Sequence, residues 1–280
     1  MQIIKNFKEL TTLKAEQKRH FVPTMGALHS GHLSLIEKAR QMAQPDDEVC
    51  VSIFVNPIQF NQADDYENYP NTLEADLKAC RDAGVDCVFL PQASEFYPQN
   101  FSINVTETLL GKNLCGSTRP GHFDGVCTVL LKFFNLLKPS AAYFGEKDFQ
   151  QLAIVKKMVL DLNLNQNLEI IGVPTFREDD GLACSSRNLR LSSDQRATAP
   201  KLYKTLTEIK NLLLTGKNWK STHSTSKEKL ERAGFTVDYL ELVESATLQP
   251  TNSVEKPCLC AVAASLGDVR LIDNIIIQHG

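Results

Sequence analysis

The sequence predicts an α/β fold: a Rossmann-like, doubly wound parallel sheet followed by a smaller α+β C-terminal domain. Three observations carry this. Over the first 175 residues, apolar runs of strand length alternate with segments of helical period. The connections between them are short, so right-handed crossovers lay the strands parallel with helices on both faces. After Pro174 the texture changes to a polar stretch, helical patterns and three late strands. The division is placed at 1–175 and 176–280, two domains of ordinary size.

The elements follow in order. Residues 20–22 form a short apolar strand, and residues 30–43 a helix with Leu35, Ile36, Ala39, Met42 and Ala43 on one face. Residues 49–55 are almost all apolar and rich in β-branched types, as in a strand buried on both faces. Asn71 and Glu74 make a capping box that opens a helix running to Ala83 and stopping at Gly84. Residues 85–90 are a strand ended by Pro91; 124–137 a helix; 141–144 a strand; 148–162 a helix; and 169–173 a strand. Beyond these, 176–188 is polar, with Gly181 and two adjacent serines. A long helix is expected over 193–214. The Ser/Thr/Lys-rich residues 217–227 read as a loop entering a surface helix that ends at Gly234, with Trp219 on the surface. Strands are expected at 237–243, 259–264 and 269–272.

Composition narrows the function classes. Thirty Lys and Arg against 33 Asp and Glu give a net charge of −3, without the basic footprint of a nucleic-acid binder or a polybasic membrane-surface protein. No apolar run approaches the roughly 18–20 residues of a membrane span. Lys5 and Lys8 are followed by no long apolar stretch, so the N-terminus does not read as a signal peptide. The eight cysteines form no C-x-x-C pair, and Cys258-Leu259-Cys260 is too tight for a zinc knuckle. They are expected to be reduced thiols in the cytoplasm, packed as small apolar groups.

The chemistry collects after the strands, where ligands bind in an open parallel sheet. Four predicted strands end in Pro23-Thr24-Met25-Gly26-Ala27-Leu28-His29-Ser30-Gly31-His32, Asn56-Pro57-Ile58-Gln59-Phe60, Gly145-Glu146-Lys147-Asp148 and Pro174-Thr175-Phe176-Arg177. A structural sheet needs turns there, but not two histidines, a lysine and two amides. His29 and His32 flank Gly31 at a helix start, where backbone N–H groups and the helix dipole suit phosphate. Two imidazoles there can stabilise charge on a phosphate in flight; the alternative is a metal pair, without an obvious third ligand and without H-E-x-x-H spacing. Lys147 reads as a point charge for phosphate or as half of a solvated pair with Asp148. Gln151 lies one turn further on. Ser185-Ser186-Arg187 offers two hydroxyls and a forked cation, or is a polar linker. Arg119-Pro120-Gly121-His122-Phe123 either clamps phosphate or starts the next helix.

Taken together, these segments resemble the pantothenate synthetase (pantoate–β-alanine ligase) family. The resemblance rests on residues 23–32, Phe54-Val55-Asn56-Pro57-Ile58-Gln59-Phe60, residues 119–123, Phe144-Gly145-Glu146-Lys147-Asp148-Phe149-Gln150-Gln151 and Ser185-Ser186-Arg187-Asn188, and more weakly on residues 237–243. H-x-G-H alone marks only the wider nucleotidylyltransferase superfamily; the ordered set is specific to the ligase. The resemblance implies a two-step reaction: ATP and pantoate give pantoyl-adenylate and pyrophosphate, and β-alanine then displaces AMP to give pantothenate. Mg²⁺ accompanies the ATP, with its protein ligands unspecified, and no tightly bound organic cofactor is implied. Met25, Gly26, Ala27, Leu28, His29, Ser30, Gly31, His32, Gly145, Glu146, Lys147, Asp148, Phe176, Cys184, Ser185, Ser186 and Arg187 are implied on ATP. His29, His32, Lys147, Ser186 and Arg187 are the implied catalytic groups, and Asn56, Gln59, Arg119 and Gln151 the implied binders of pantoate and β-alanine. Residues 1–175 would hold nucleotide and pantoate, and 176–280 would act as a lid. A homodimer is also implied. Cys184 stands where many members carry Met or Leu, and Asn71 where Arg is common. A phosphate-ester nucleotidylyltransferase, a nucleotide sensor and a zinc hydrolase built on His29 and His32 are the rival readings.

Overall fold

The computed structural model describes residues 1–14, 16–60, 66–67 and 69–279. The chain divides into two compact units. The first comprises Met1–Leu109, Arg119–Glu146 and Gln151–Pro174; the second comprises Leu110–Thr118, Lys147–Gln150 and Thr175–Gly280. Two segments from the first 175 residues thus belong to the second unit, which a single cut in the sequence does not convey.

The first unit holds β1 (Gln2–Ile4), β2 (Arg19–Thr24), α1 (Ser30–Met42), β3 (Glu48–Ile53), α2 (Leu73–Asp82), β4 (Cys87–Phe89), α3 (Ala93–Phe96), α4 (His122–Leu137), β5 (Ala141–Gly145), all but the first two residues of α5 (Phe149–Asp161), and β6 (Glu169–Val173). The sheet is parallel with strand order β1-β4-β3-β2-β5-β6. From β2 the chain steps outward through β3 to β4, then returns to the other side of β2 for β5 and β6. The order reverses between β2 and β5, and the crevice beyond their carboxyl ends is where such sheets bind ligands. Alternation along each strand fills two cores. One face carries Val22, Val49, Val51 and Val88 against Leu35, Ile36 and Ala39 of α1. The other is aromatic: Phe133 of α4 lies 5.5 Å from Phe21 and 4.9 Å from Phe96 by ring centroid.

The sheet has one strand that sequence periodicity does not show. β1 pairs with β4 in parallel register, Gln2 opposite Cys87, and three residues are too few to reveal a period. The Asn71–Glu74 capping box does not form. α2 opens at Thr72, which has no side-chain capping bond; its hydroxyl donates to Asp76 Oδ2 at 3.1 Å.

The second unit is an antiparallel sheet of β7 (Thr236–Glu244), β8 (Cys258–Leu266) and β9 (Val269–Ile277), ordered β7-β8-β9. Helices α6 (Ser193–Thr198), α7 (Lys201–Leu214) and α8 (Trp219–Arg232) accompany it. The helix expected over 193–214 is therefore two helices, because Pro200 has no N–H to continue the ladder and instead starts α7. The loop expected over 217–227 is mostly helix. Asn218 caps α8 by accepting from the Ser221 amide at 2.9 Å, and Trp219, Thr222, Ser226 and Leu230 form its buried stripe. Trp219 is therefore core, not surface: it joins Leu206, Ile209 and Leu240.

All eight cysteines are free, and six are buried. Burial pushes the Cys80 and Cys127 thiols up to about 12, which keeps them protonated and inert. Among the described residues no helix is long and apolar enough to cross a membrane.

Candidate active site

The loop after β2 is held in an unusual backbone shape. Gly26 and Ala27 both have positive φ, 85° and 50°. Such a conformation persists in a non-glycine residue only when its surroundings enforce it. Here the enforcing group is Asp76, 3% exposed on α2. Its two carboxylate oxygens accept from the amides of Ala27 at 2.9 Å and Leu28 at 2.8 Å. Gly26 is pressed against the same carboxylate, since a Cβ there would lie 3.1 Å from Asp76 Oδ2 and from Ile53 Cγ2. Asp76 stands outside the local motif, 49 residues from the loop it grips.

The clamp sets the entry to α1. His29 is the N-cap in extended conformation, and its Nδ1 accepts from the Gly31 amide at 3.1 Å. His32 Nδ1 accepts from the His29 amide at 3.3 Å, completing a capping box made of two histidines. The rings pack 4.1 Å apart by centroid. An Nδ1 that accepts places the neutral ring's proton on Nε2, so both imidazoles turn a donor edge away from the helix backbone. Ser30 is exposed; Met25, Leu28 and Gly31 are half-buried.

A second cluster in the first unit gathers Met25, Asn56, Gln59 and Arg119. Asn56, 1% exposed, donates from Nδ2 to Gln59 Oε1 at 3.0 Å and to the Gly125 carbonyl at 3.1 Å. Gln59 Nε2 rests 2.9 Å from Met25 Sδ. His122 Nδ1 donates to the Gln59 carbonyl at 2.9 Å, and its Nε2 accepts from Arg119 Nη1 at 3.1 Å. The turn at 119–123 thus both starts α4 and braces the Gln59 loop through His122. The fit depends on Gly125, where a Cβ would lie 2.5 Å from the Ile58 carbonyl oxygen. Gly145 closes β5, Glu146 follows it, and Gln151 is half-buried on the first turn of α5.

The remaining sequence-predicted residues lie in the second unit. Lys147 Nζ is 3.6 Å from Asp148 Oδ2, and the Lys147 carbonyl accepts from Asn274 Nδ2 at 2.9 Å. Lys147, Ser185 and Arg187 line one small pocket with Asn188, Arg270 and Asp273. The polar stretch that precedes Ser185 forms a β-hairpin. The Cys184 amide donates to the Phe176 carbonyl at 3.0 Å, Arg177 bridges Ala183, and Gly181 turns the chain at φ 92°. Ser185 Oγ then accepts from the Arg187 amide at 3.3 Å and opens the turn Ser186–Arg190. Arg177, the last residue of the segment that follows β6, anchors the hairpin. Its guanidinium meets Asp273 in a bidentate pair at 2.7 and 2.9 Å and stacks 3.4 Å from the Tyr203 ring. Phe176 is exposed.

Among the described residues, no group of three or more His, Cys, Asp or Glu is disposed to hold a metal ion.

The family model for pantoate–β-alanine ligases matches residues 2–276. The chain belongs to the pantoate–β-alanine ligase family. Within it, the chain is 45% identical to the pantothenate synthetase of Thermotoga petrophila, over 99% of this chain and 100% of that one. It is 47% identical to that of Clostridium botulinum strain Kyoto, with the same coverage. The crystal structure of pantothenate synthetase from Thermus thermophilus superposes with a TM-score of 0.93 at 41% identity, covering all of both chains. A second ligase structure, from Francisella tularensis in complex with a β,γ ATP compound and β-alanine, superposes with a TM-score of 0.82 at 37% identity, over 100% of this chain and 99% of that one. Members of the ligase family thus share this fold along their whole length.

Proposed function

We propose that this chain joins pantoate to β-alanine with ATP, through a pantoyl-adenylate, releasing pyrophosphate and AMP. The observation that carries the reading is the clamped loop at the switch point of the sheet: Asp76 fixes residues 26–28, and two histidines cap the helix that follows. Family membership supplies the substrates. In the first step a pantoate carboxylate oxygen attacks the α-phosphorus of ATP, and the bond to the pyrophosphate oxygen breaks. In the second, the free amine of β-alanine attacks the acyl carbon, the bond to AMP breaks, and the amine gives up a proton to solvent.

This chemistry needs positioning and charge stabilisation more than a covalent nucleophile. His29 and His32 donate from Nε2 to phosphate oxygens as charge shifts toward pyrophosphate. The backbone at Met25, Gly26, Ala27, Leu28, Ser30 and Gly31 receives the nucleotide, with Gly145, Glu146, Asp148, Phe176 and Cys184 as its further contacts. Lys147, Ser185, Ser186 and Arg187 supply a point charge, hydroxyls and a forked cation for the phosphates. Asn56, Gln59, Arg119 and Gln151 hold pantoate and β-alanine. Mg²⁺ enters on the ATP phosphates and supplies charge neutralisation there. The second unit serves as the lid that keeps water from the adenylate. The working enzyme is a cytoplasmic homodimer. The test is AMP release from ATP with pantoate and β-alanine, omitting each in turn: AMP in step with pantothenate, and only when all three are present, is expected. AMP release without pantoate would refute the reading.

A further inference from the structure

A single chain of hydrogen bonds sets which way the Gln59 amide faces, and it begins at Tyr97. The Gly125 carbonyl can only accept, so the Asn56 atom facing it at 3.1 Å is the nitrogen. The second proton of that nitrogen goes to Gln59 Oε1 at 3.0 Å. Gln59 is left with its NH₂ pointing away from Asn56, resting on the Met25 thioether at 2.9 Å. A thioether is a weak acceptor, readily displaced by an oxygen. At the other end, Asn56 Oδ1 is buried and accepts the Tyr97 hydroxyl at 2.8 Å.

The phenol is itself fixed. Its ring packs 5.0 Å from Phe101 and 5.9 Å from Phe96, and Lys132 Nζ sits over the same three rings at 5.1–5.7 Å. Burial raises the Tyr97 pKa, so the hydroxyl stays a donor throughout the neutral range.

We infer that Tyr97 is a positioning residue for pantoate: through Asn56 it holds Gln59 with its NH₂ outward, so that the site selects an oxygen acceptor, a hydroxyl or carboxylate of the acid substrate. The inference rests on the reading of Gln59 as a pantoate-binding group. Without the phenolic hydroxyl, the buried Asn56 oxygen has lost its donor. Asn56 keeps its nitrogen on the Gly125 carbonyl but loses the anchor on its oxygen, so its amide plane tilts and its bond to the Gln59 oxygen loosens. A freed amide presents an oxygen to an oxygen in about half of its orientations, which weakens binding and blurs selection.

The test is steady-state kinetics on Tyr97→Phe, Gln59→Ala and the double variant, with thermal midpoints recorded alongside. Tyr97→Phe is expected to raise the KM for pantoate roughly tenfold while the KM for ATP stays within twofold. In the Gln59→Ala background the same change is expected to lower kcat/KM for pantoate by less than twofold, because its effect passes through Gln59. A loss of thermal stability alone moves neither contrast. Equal rises in both KM values, an unchanged pantoate KM, or a penalty that persists in full without Gln59 would overturn the inference. Wild-type protein that makes no pantothenate would instead overturn the functional reading on which it rests.

Discussion

At the scale of single residues, the account depends on groups that hold the backbone as well as groups that would meet substrate. Replacing His32 with Ala removes both an Nε2 donor and the cap on the His29 amide. The adenylation rate, measured by single-turnover formation of pantoyl-adenylate, is expected to fall about 10²–10³-fold, as for the loss of one preorganised donor; a wild-type rate would remove His32 from the chemistry. Asp76→Ala orphans the buried Ala27 amide and the half-buried Leu28 amide and releases the strained residue Ala27. It is expected to cost roughly 3 kcal/mol in denaturant unfolding and to raise the KM for ATP. Stability lost with ATP affinity unchanged would make Asp76 purely structural. His29, His32 and Gln59 stand out as candidates in the sequence because they sit inside local motifs. Asp76 and Tyr97 do not: they act across 49 and 41 residues, and no local pattern distinguishes them from any helix aspartate or loop tyrosine.

At the scale of elements, the parallel strands were legible wherever an apolar run was long, as in β3, and not where it was three residues, as in β1. The helix ending near Gly234 was legible, but the first part of α8 read as a loop because its buried stripe is half polar: Thr222 and Ser226 lie between Trp219 and Leu230. The break at Pro200 was available from chemistry alone, since proline is tolerated at a helix start and not in its interior. The hairpin over 176–184 carries a prediction of its own. Arg196 holds the Asp180 carboxyl below its ordinary value of 3.8 and pairs with Glu178 as well. A depressed carboxyl pKa gives stability that is present above the unfolded value and drains as pH falls through the folded one. Amide protection factors in the hairpin, which divide out the intrinsic pH dependence of exchange, are therefore expected to stay high above about pH 4 and to fall below it in wild type. In Arg196→Gln the protection is expected to be lower at neutral pH and nearly flat across the same range. An unchanged profile in that variant would show that the pair does not secure the hairpin.

At the scale of the whole molecule, near-neutral charge and a topological switch point agree on a small-anion enzyme that concentrates cations locally rather than over a surface. Sequence composition located the change of texture near residue 175. It could not show that residues 110–118 and 147–150 pack with the later part of the chain, because membership of a unit is set by long-range contacts. The central claim is that pantoate is activated by adenylylation before β-alanine takes part. It is tested most directly by exchange of labelled pyrophosphate into ATP with β-alanine left out. The account predicts exchange that requires pantoate and proceeds without the amine. Exchange that requires β-alanine, or that is indifferent to pantoate, would contradict it.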